Sequence, residues 1–358
     1  MTEMDRPDLT GLTPAQLAYL ENLEQELSRL RVASAQETHQ AEAVEPNEPP
    51  TSLNVVTASA QGNAKRTPRH YYSRQGRSGM GVFDLEAAEG DVPAFLTVVD
   101  QGHDLILITS LARAFHLSVS RLAQAPVRAR GQSLTADLPL QPGETLKALL
   151  PAGRGVAVAL LTETGYARVL PAHVLGPSMA PGTVLFRAAE YGAISSACWT
   201  TGAGDLFIAT QHGLAIRFPE RALPLAGGPG IRLEEGDRAI AIEAVHAPDG
   251  EAIFLLGADG RGTVRLMSGF AANKSAGGGG KIAMKTDELA AAVAVAEGDD
   301  IFILSRLSKI IRFRASEVPP KEGVVAGVNC MALRSDECVA VAASPSQPVV
   351  EEYEGIEP

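Results

Sequence analysis

Asp104-Leu-Ile-Leu-Ile-Thr109, Asp205-Leu-Phe-Ile-Ala-Thr210 and Asp300-Ile-Phe-Ile-Leu-Ser305 are one apolar strand written three times in this chain. After each comes a turn ending in a small residue, then a second strand with a basic side chain, then a Gly-containing loop. The pattern comes round six times. Its turn residues are Gly62, Ala112, Gly165, Gly213, Gly260 and Ser308, so successive steps are 50, 53, 48, 47 and 48 residues. A period of this size means units that bury their apolar faces only against their neighbours, as in a propeller or an array. Closure into a ring protects the edges of short strands, so six units predict an all-β, six-bladed β-propeller.

The units run from about 54 to 101, 104 to 151, 154 to 203, 205 to 247, 251 to 297 and 299 to 343. Four residues past the turn stands a basic side chain in four units, Arg66, His116, Arg217 and Arg312, shifted slightly to Arg168 and Arg265 in the third and fifth. A loop glycine recurs at Gly81, Gly131, Gly182, Gly230, Gly280 and Gly327, read as a turn that needs positive φ. An acid often follows a later glycine, as in Gly90-Asp91, Gly143-Glu144 and Gly236-Asp237.

The flanks differ in kind. Thr13-Pro14-Ala15-Gln16 opens a helix with a capping box, and Leu20, Leu23, Leu27 and Leu30 follow at coiled-coil spacing to about Val32. Residues 14–32 are therefore expected to dimerise weakly or to dock on a partner or on the body. Residues 33–53 are rich in Ala, Gln, Glu and Pro, with too little apolar surface to offset the entropy of ordering, which predicts a disordered acidic linker. This divides the chain into a helix and linker at 1–53, the propeller at 54–343 and an acidic tail at 344–358.

The formal charge of −11 belongs to the flanks. Residues 1–50 hold 10 acids and 3 bases and the last nine residues hold four Glu, which leaves 28 acids against 28 bases between 51 and 349. Within that neutral body the bases cluster. No acid occurs in 51–83 (Lys65, Arg66, Arg69, Arg74, Arg77), in 105–136 (Arg113, Arg121, Arg128, Arg130), in 260–286 (Arg261, Arg265, Lys274, Lys281, Lys285) or in 301–316 (Arg306, Lys309, Arg312, Arg314). A ring sets the last unit beside the first, so units five, six, one and two are expected to form one basic arc able to neutralise phosphates. The tail, with Glu351, Glu352, Glu354 and Glu357, would leave beside that arc and compete with DNA for it.

These residues resemble a known family, the C-terminal β-pinwheel of bacterial DNA gyrase A and its topoisomerase IV counterpart. Val55-Val-Thr-Ala-Ser-Ala-Gln-Gly-Asn-Ala-Lys-Arg-Thr-Pro68 is similar to that domain's opening hairpin, and Arg74-Gln-Gly-Arg-Ser-Gly-Met-Gly-Val82 sits where its signature box sits. Gln75, Arg77, Gly79 and Gly81 match the box; Gly76, Ser78 and Met80 do not. The resemblance covers 54–343 and implies a box loop that bends DNA around the rim and joins the first blade to the last. The missing basic positions imply bending rather than full wrapping. The family's strand-cleaving domain, with a Tyr preceded by Arg, has no counterpart, since none of the six tyrosines follows an Arg.

Other chemistry finds no support. Gly277-Gly-Gly-Gly-Lys281 is followed by Ile282 and lacks the upstream glycine of a phosphate loop, and Gly76, Gly79 and Gly81 reverse the dinucleotide spacing. The seven histidines show no metal-ligand spacing, and Cys198, Cys330 and Cys338 read as buried structural thiols. No cofactor and no catalysis are expected. Met1–Asp8 is no signal peptide, and Leu289–Ala296, the longest apolar run, is too short for a bilayer, so a cytoplasmic protein is expected. The expected function is sequence-independent binding and bending of double-stranded DNA, through Lys65, Arg66, Arg69, Arg74, Gln75, Arg77, Arg113, Arg128, Arg130, Arg265, Lys274, Lys281, Lys285, Lys309 and Arg312, with a possible contribution to DNA topology. The alternative is an interaction scaffold, or accessory subunit, for gyrase or topoisomerase IV.

Overall fold

The computed structural model describes residues 48–345 except Arg154 and Pro248, together with Thr13, Gln16 and Leu20. The chain divides into two units, 1–46 and 47–358. In the first, the capping box is present: Gln16 N donates to Thr13 Oγ1 at 3.4 Å and Thr13 N donates to Gln16 Oε1 at 3.0 Å, with Gln16 and Leu20 helical. The rest of the leucine seam, the linker up to 47 and the tail from 346 lie outside the described residues.

Six sheets of the second unit are the blades. From centre to rim, blade 1 reads Pro93–Asp100, Leu53–Ser59, Asn63–Pro68 and Gln132–Ser133. The same order recurs around first strands Asp104–Thr109, Ala157–Thr162, Asp205–Thr210, Ala252–Gly257 and Asp299–Ser305. Innermost strands pack on one another round the ring. A first strand thus lies between two others in its sheet and between two other blades. Along Ala252–Gly257, Ile253 and Leu255 face the cluster shared with blade 4, while Phe254 and Leu256 face the one shared with blade 6. Both faces are buried, so the sequence shows unbroken apolar runs instead of alternation. Six apolar clusters result, one between each pair of neighbouring blades.

The outermost strand of each blade comes from the next unit. Gln132–Ser133 of the second unit completes blade 1, and Val82–Phe83 of the first completes blade 6 through pairs Lys309–Phe83 and Ile310–Val82. Thr183–Val184, Gly228–Pro229 and Lys281–Ile282 serve blades 2, 3 and 4. Blade 5 takes both Pro320–Lys321 and Val328–Asn329. Ring closure is therefore made by the box loop, whose Gln75 and Ser78 amides donate to Arg312 O and Cys330 O at 2.9 Å each.

The recurring residues now have causes. All six turn residues are left-handed, including Ala112 (φ 53°) and Ser308 (φ 64°), which explains why only small side chains appear there. Two of the recurring acids cap those turns, Asp91 and Asp237 accepting the amides of Gln61 and His212 at 3.1 Å, and Asp336 does the same for Leu307 at 3.0 Å in the last unit, whereas Glu144 accepts from Thr109 Oγ1 and Gln141 N instead. Positive φ holds for the loop glycines Gly81, Gly182 and Gly327, but not for Gly131, Gly230 and Gly280. What Gly81 and Gly131 share is contact: a Cβ would meet Ile310 O and Asn63 Oδ1 at 2.7 Å where the crossing loop reaches the preceding blade.

One inner-strand residue sets a pH dependence. Glu243 reaches the Ala294 amide of the next inner strand, and its enclosure by the ring pushes its carboxyl up to about 8. A carboxyl raised on folding stabilises fully below its unfolded pKa and loses that contribution as pH rises through the folded value. Stability to urea is expected to fall between pH 5 and 8 by about that linkage, and Glu243→Gln is expected to flatten the curve. An equally sloped curve in the variant would assign the slope elsewhere.

Candidate nucleic-acid interface

The basic residue four past the turn is a staple between blades. Arg66 Nε donates to Leu122 O (3.1 Å), His116 Nε2 lies 2.9 Å from Leu175 O, and Arg217 Nη1 donates to Met267 O (2.7 Å). Arg312 Nη1 donates to Arg69 O and Tyr72 O at 3.2 and 2.9 Å. In each case the acceptor lies in the unit that follows round the ring, so the side chain ties its own blade to a carbonyl of the neighbouring unit's turn.

Burial removes several expected phosphate contacts. Lys65, Arg69, Arg265 and Arg312 are at most 5% exposed. Lys65 Nζ pairs with Asp84 at 2.7 Å and donates to Pro126 O and Val127 O. Burial pulls the lysine pKa down, and Asp84 opposes the shift. Arg69 bonds Glu48, Ser344 and Pro345 O. Arg312 bonds Glu48 at 2.7 Å and also Asp300. Arg74, 19% exposed, holds Asp300 through its Nε and Nη2, which donate to the two carboxylate oxygens at 2.8 and 3.0 Å. Arg265 donates to Gly269 O and lies over Phe270. A charge so enclosed is stable only because it is paired, so Lys65, Arg69, Arg74 and Arg312 hold the ring and are not open to DNA. Arg265 forms no ion pair among the described residues and leaves Nε and Nη1 without a hydrogen bond, and burial alone keeps it from DNA. Arg66 and Arg113 are half-buried, the latter on Glu144 at 2.7 Å.

The exposed members of the expected set are Gln75, Arg77, Arg128, Arg130, Lys274, Lys281 and Lys285, with Lys309 half-buried. Strand exchange displaces them. Loop 73–83 lies over blade 6, loop 122–133 over blade 1 and loop 267–282 over blade 4, each loop carrying two bases and no acid. The basic rim is therefore blades 4, 6 and 1 instead of the units from which it was read, because every unit lends its loop to the blade before it. Blade 5 thins the arc, since loop 315–329 brings Lys321 with Glu317 and Glu322. Glu86 pairs with Arg128 at 3.0 Å and nears Arg130 at 4.0 Å, but both arginines are at least half exposed.

Arg261 and Arg314 are missing from the expected contacts, yet both are exposed and form no ion pair among the described residues. They stand at the first and last positions of their second strands, and their exposure comes from that terminal position, since Thr263 and Arg312 on the same strand faces are buried. Loops 174–184 and 222–230, over blades 2 and 3, hold no charged residue. Leu225 there is 95% exposed.

The described residues contain no group of three or more His, Cys, Asp and Glu placed to hold a metal. The three cysteines are free and buried, and burial pushes the Cys330 thiol up to about 12. None of the described helices is long and apolar enough to cross a membrane.

Known proteins share this geometry. The family described as "DNA gyrase C-terminal domain, beta-propeller" matches residues 53–92, 204–246 and 299–321. DNA gyrase A of Escherichia coli is 27% identical over 310 residues, 83% of this chain and 35% of the relative. That of Kosmotoga olearia is 25% identical over 299 residues, 80% of this chain and 37% of the relative. The chain thus spans about a third of the length of the curated relatives it matches. A solved DNA gyrase A C-terminal domain superposes with TM-score 0.72 at 20% identity, covering 81% of this chain and 99% of the other. The C-terminal domain of DNA topoisomerase IV gives 0.57 at 17% identity, covering 82% and 93%. The family match falls in the first, fourth and sixth units, the first with its ring-closing loop, and the chain carries a six-bladed β-propeller homologous to the C-terminal domain of DNA gyrase A.

Proposed function

We propose that this propeller binds double-stranded DNA through phosphate contacts on the rim of blades 4, 6 and 1, without reading sequence, and bends it. The observation that carries this is the placement of three acid-free loops, with Arg77, Arg128, Arg130, Lys274 and Lys281 exposed, over blades 6, 1 and 4, an arc thinned at blade 5. Such contacts release counterions, so affinity is set by salt, and each phosphate neutralised contributes about −0.9 to the slope of log K against log salt. Direct readout is not part of the proposal, because no described helix or paired ribbon is offered to a major groove. The charge-free loops over blades 2 and 3 let the duplex leave the rim there, which supports bending over full wrapping.

The expected result is a shift of a duplex by the full chain at low salt, indifferent to sequence, with a slope near −4 to −6, about what five or six contacts give. Binding that survives high salt or prefers one sequence refutes it.

A second reading has its own observation. Leu225 and Val184, 95% and 62% exposed on the charge-free loops, suit a protein surface. A component of gyrase or topoisomerase IV docking there makes the chain an accessory to a type II topoisomerase in the cytoplasm, with its own catalysis unnecessary. No shift at low salt, together with capture of such a component that is lost in Leu225→Asp, decides for this reading.

A further inference from the structure

Phe83 is the outermost residue of blade 6. In the two-residue strand Val82–Phe83, Val82 turns inward against the cluster between blades 6 and 1, and strand alternation turns Phe83 out, leaving it 44% exposed. Lys309 Nζ lies 5.2 Å from its ring centroid and Arg128 Cζ lies 5.7 Å away. The corresponding outermost positions of the other blades are Ser133, Val184, Pro229, Ile282 and Asn329, so the seam of the ring alone presents an aromatic ring there.

The seam is also the most basic part of the rim, because two acid-free loops meet at it. Leu85–Glu86, just past Phe83, pairs with Ala129–Arg130 of the loop over blade 1, which fixes Arg128 against the ring. Glu86 pairs with Arg128 and nears Arg130, and both stay at least half exposed. Fixed cations on either side of an exposed apolar ring match one ligand surface, the minor groove of a duplex, where two phosphate rows flank deoxyribose faces and base edges. Apolar side chains set there open the base steps and bend the duplex.

We propose that Phe83 is the contact at which this propeller deforms DNA, pressing into the minor groove while Lys309 and Arg128 hold the flanking phosphates. The inference rests on the DNA-binding reading above and adds to it one residue with a role the cations do not share. The cations set affinity and its salt dependence; Phe83 sets the shape of the bound duplex.

The test uses the full chain and an end-labelled duplex of about 30 base pairs, about 100 Å long when straight and short enough against the persistence length for bending by the protein to set the end-to-end distance. Affinity, salt slope and energy transfer at saturation are measured for wild type, Phe83→Ala, Phe83→Leu and Arg128→Gln. Phe83→Ala is expected to lower energy transfer at saturation clearly, to weaken affinity by about three- to tenfold and to leave the salt slope unchanged. Phe83→Leu is expected to fall between. Arg128→Gln is expected to reduce the slope by about one while the saturated complex stays bent. Far-ultraviolet dichroism and melting temperature check that each variant is folded. A folded Phe83→Ala complex bent like wild type overturns the inference, with DNA binding intact. Failure of wild type itself to bind overturns the underlying reading.

Discussion

Asp300→Ala lowers the unfolding free energy by about 3–5 kcal/mol, because it leaves the buried Arg312 guanidinium, and the largely enclosed Arg74 beside it, without their shared carboxylate. Asp300 is 0% exposed and accepts from Arg74 and Arg312 together, and Arg312 continues to Glu48, which Arg69 also grips. The network joins the segment entering the ring, the first unit and the last blade. Loss of Asp300 strands Arg312, which is 1% exposed, with only Glu48 to answer its charge. A change of that size is a large share of the ~5–15 kcal/mol that typically separates folded from unfolded protein.

The same network predicts an acid limb. Burial favours a protonated Asp300, but hydrogen bonds and charge from Arg74 and Arg312 outweigh it and hold the carboxyl below its ordinary value. Glu48 behaves alike, burial opposed by Arg312 and Arg69. For a carboxyl depressed on folding, the stabilisation is present above the unfolded pKa, about 4, and is lost as pH falls through the folded value. Urea midpoints are expected to drop below pH 4 in wild type and less steeply in Asp300→Ala. A variant within about 1 kcal/mol of wild type at pH 7, where a buried pair is expected to cost several, would show that solvent enters and replaces the pair.

Neutralising the exposed rim has the second large effect, this time on binding. Arg77, Arg128, Arg130 and Lys281 replaced together by Gln are expected to weaken DNA binding by about 10²–10³-fold at moderate salt and to reduce the salt slope by about three to four. Folding should be unaffected, since these side chains are exposed. Replacing Arg187 and Arg221, which are exposed beyond the basic arc, is expected to change affinity by less than about threefold, as a non-specific contribution of stray charge. Equal losses in the two variants would mean that net charge governs binding and the arc does not.

The ring was legible because its period is a physical necessity: each turn needs a left-handed residue and each first strand is buried on both faces, so the signal repeats in Gly62, Ala112 and Ser308 alike. The site was legible only in part. Lys65, Arg69, Arg74 and Arg312 share one acid-free stretch or another with Arg77 and Lys309, but the carboxylates that pair with them, Asp84, Asp300 and Glu48, are supplied from outside those stretches. A stretch of sequence without acids is not a stretch of unpaired charge, because folding brings distant carboxylates to it. Placement of the arc failed for a related reason, as the loop following a second strand crosses to the preceding blade, which no local pattern announces.

The exchange of outer strands has an evolutionary corollary. The repeat as a stretch of sequence and the blade as a body in space are out of step, so the rim of any blade is inherited from the unit that follows it. Duplication or recombination of one unit transplants a new outer surface onto an old interior. Blade 3, with its own mixed charges, wears the neutral loop of the fourth unit, while blade 4 wears the two lysines of the fifth. What the ring touches can therefore drift from repeat to repeat while the packing that keeps it closed stays unchanged.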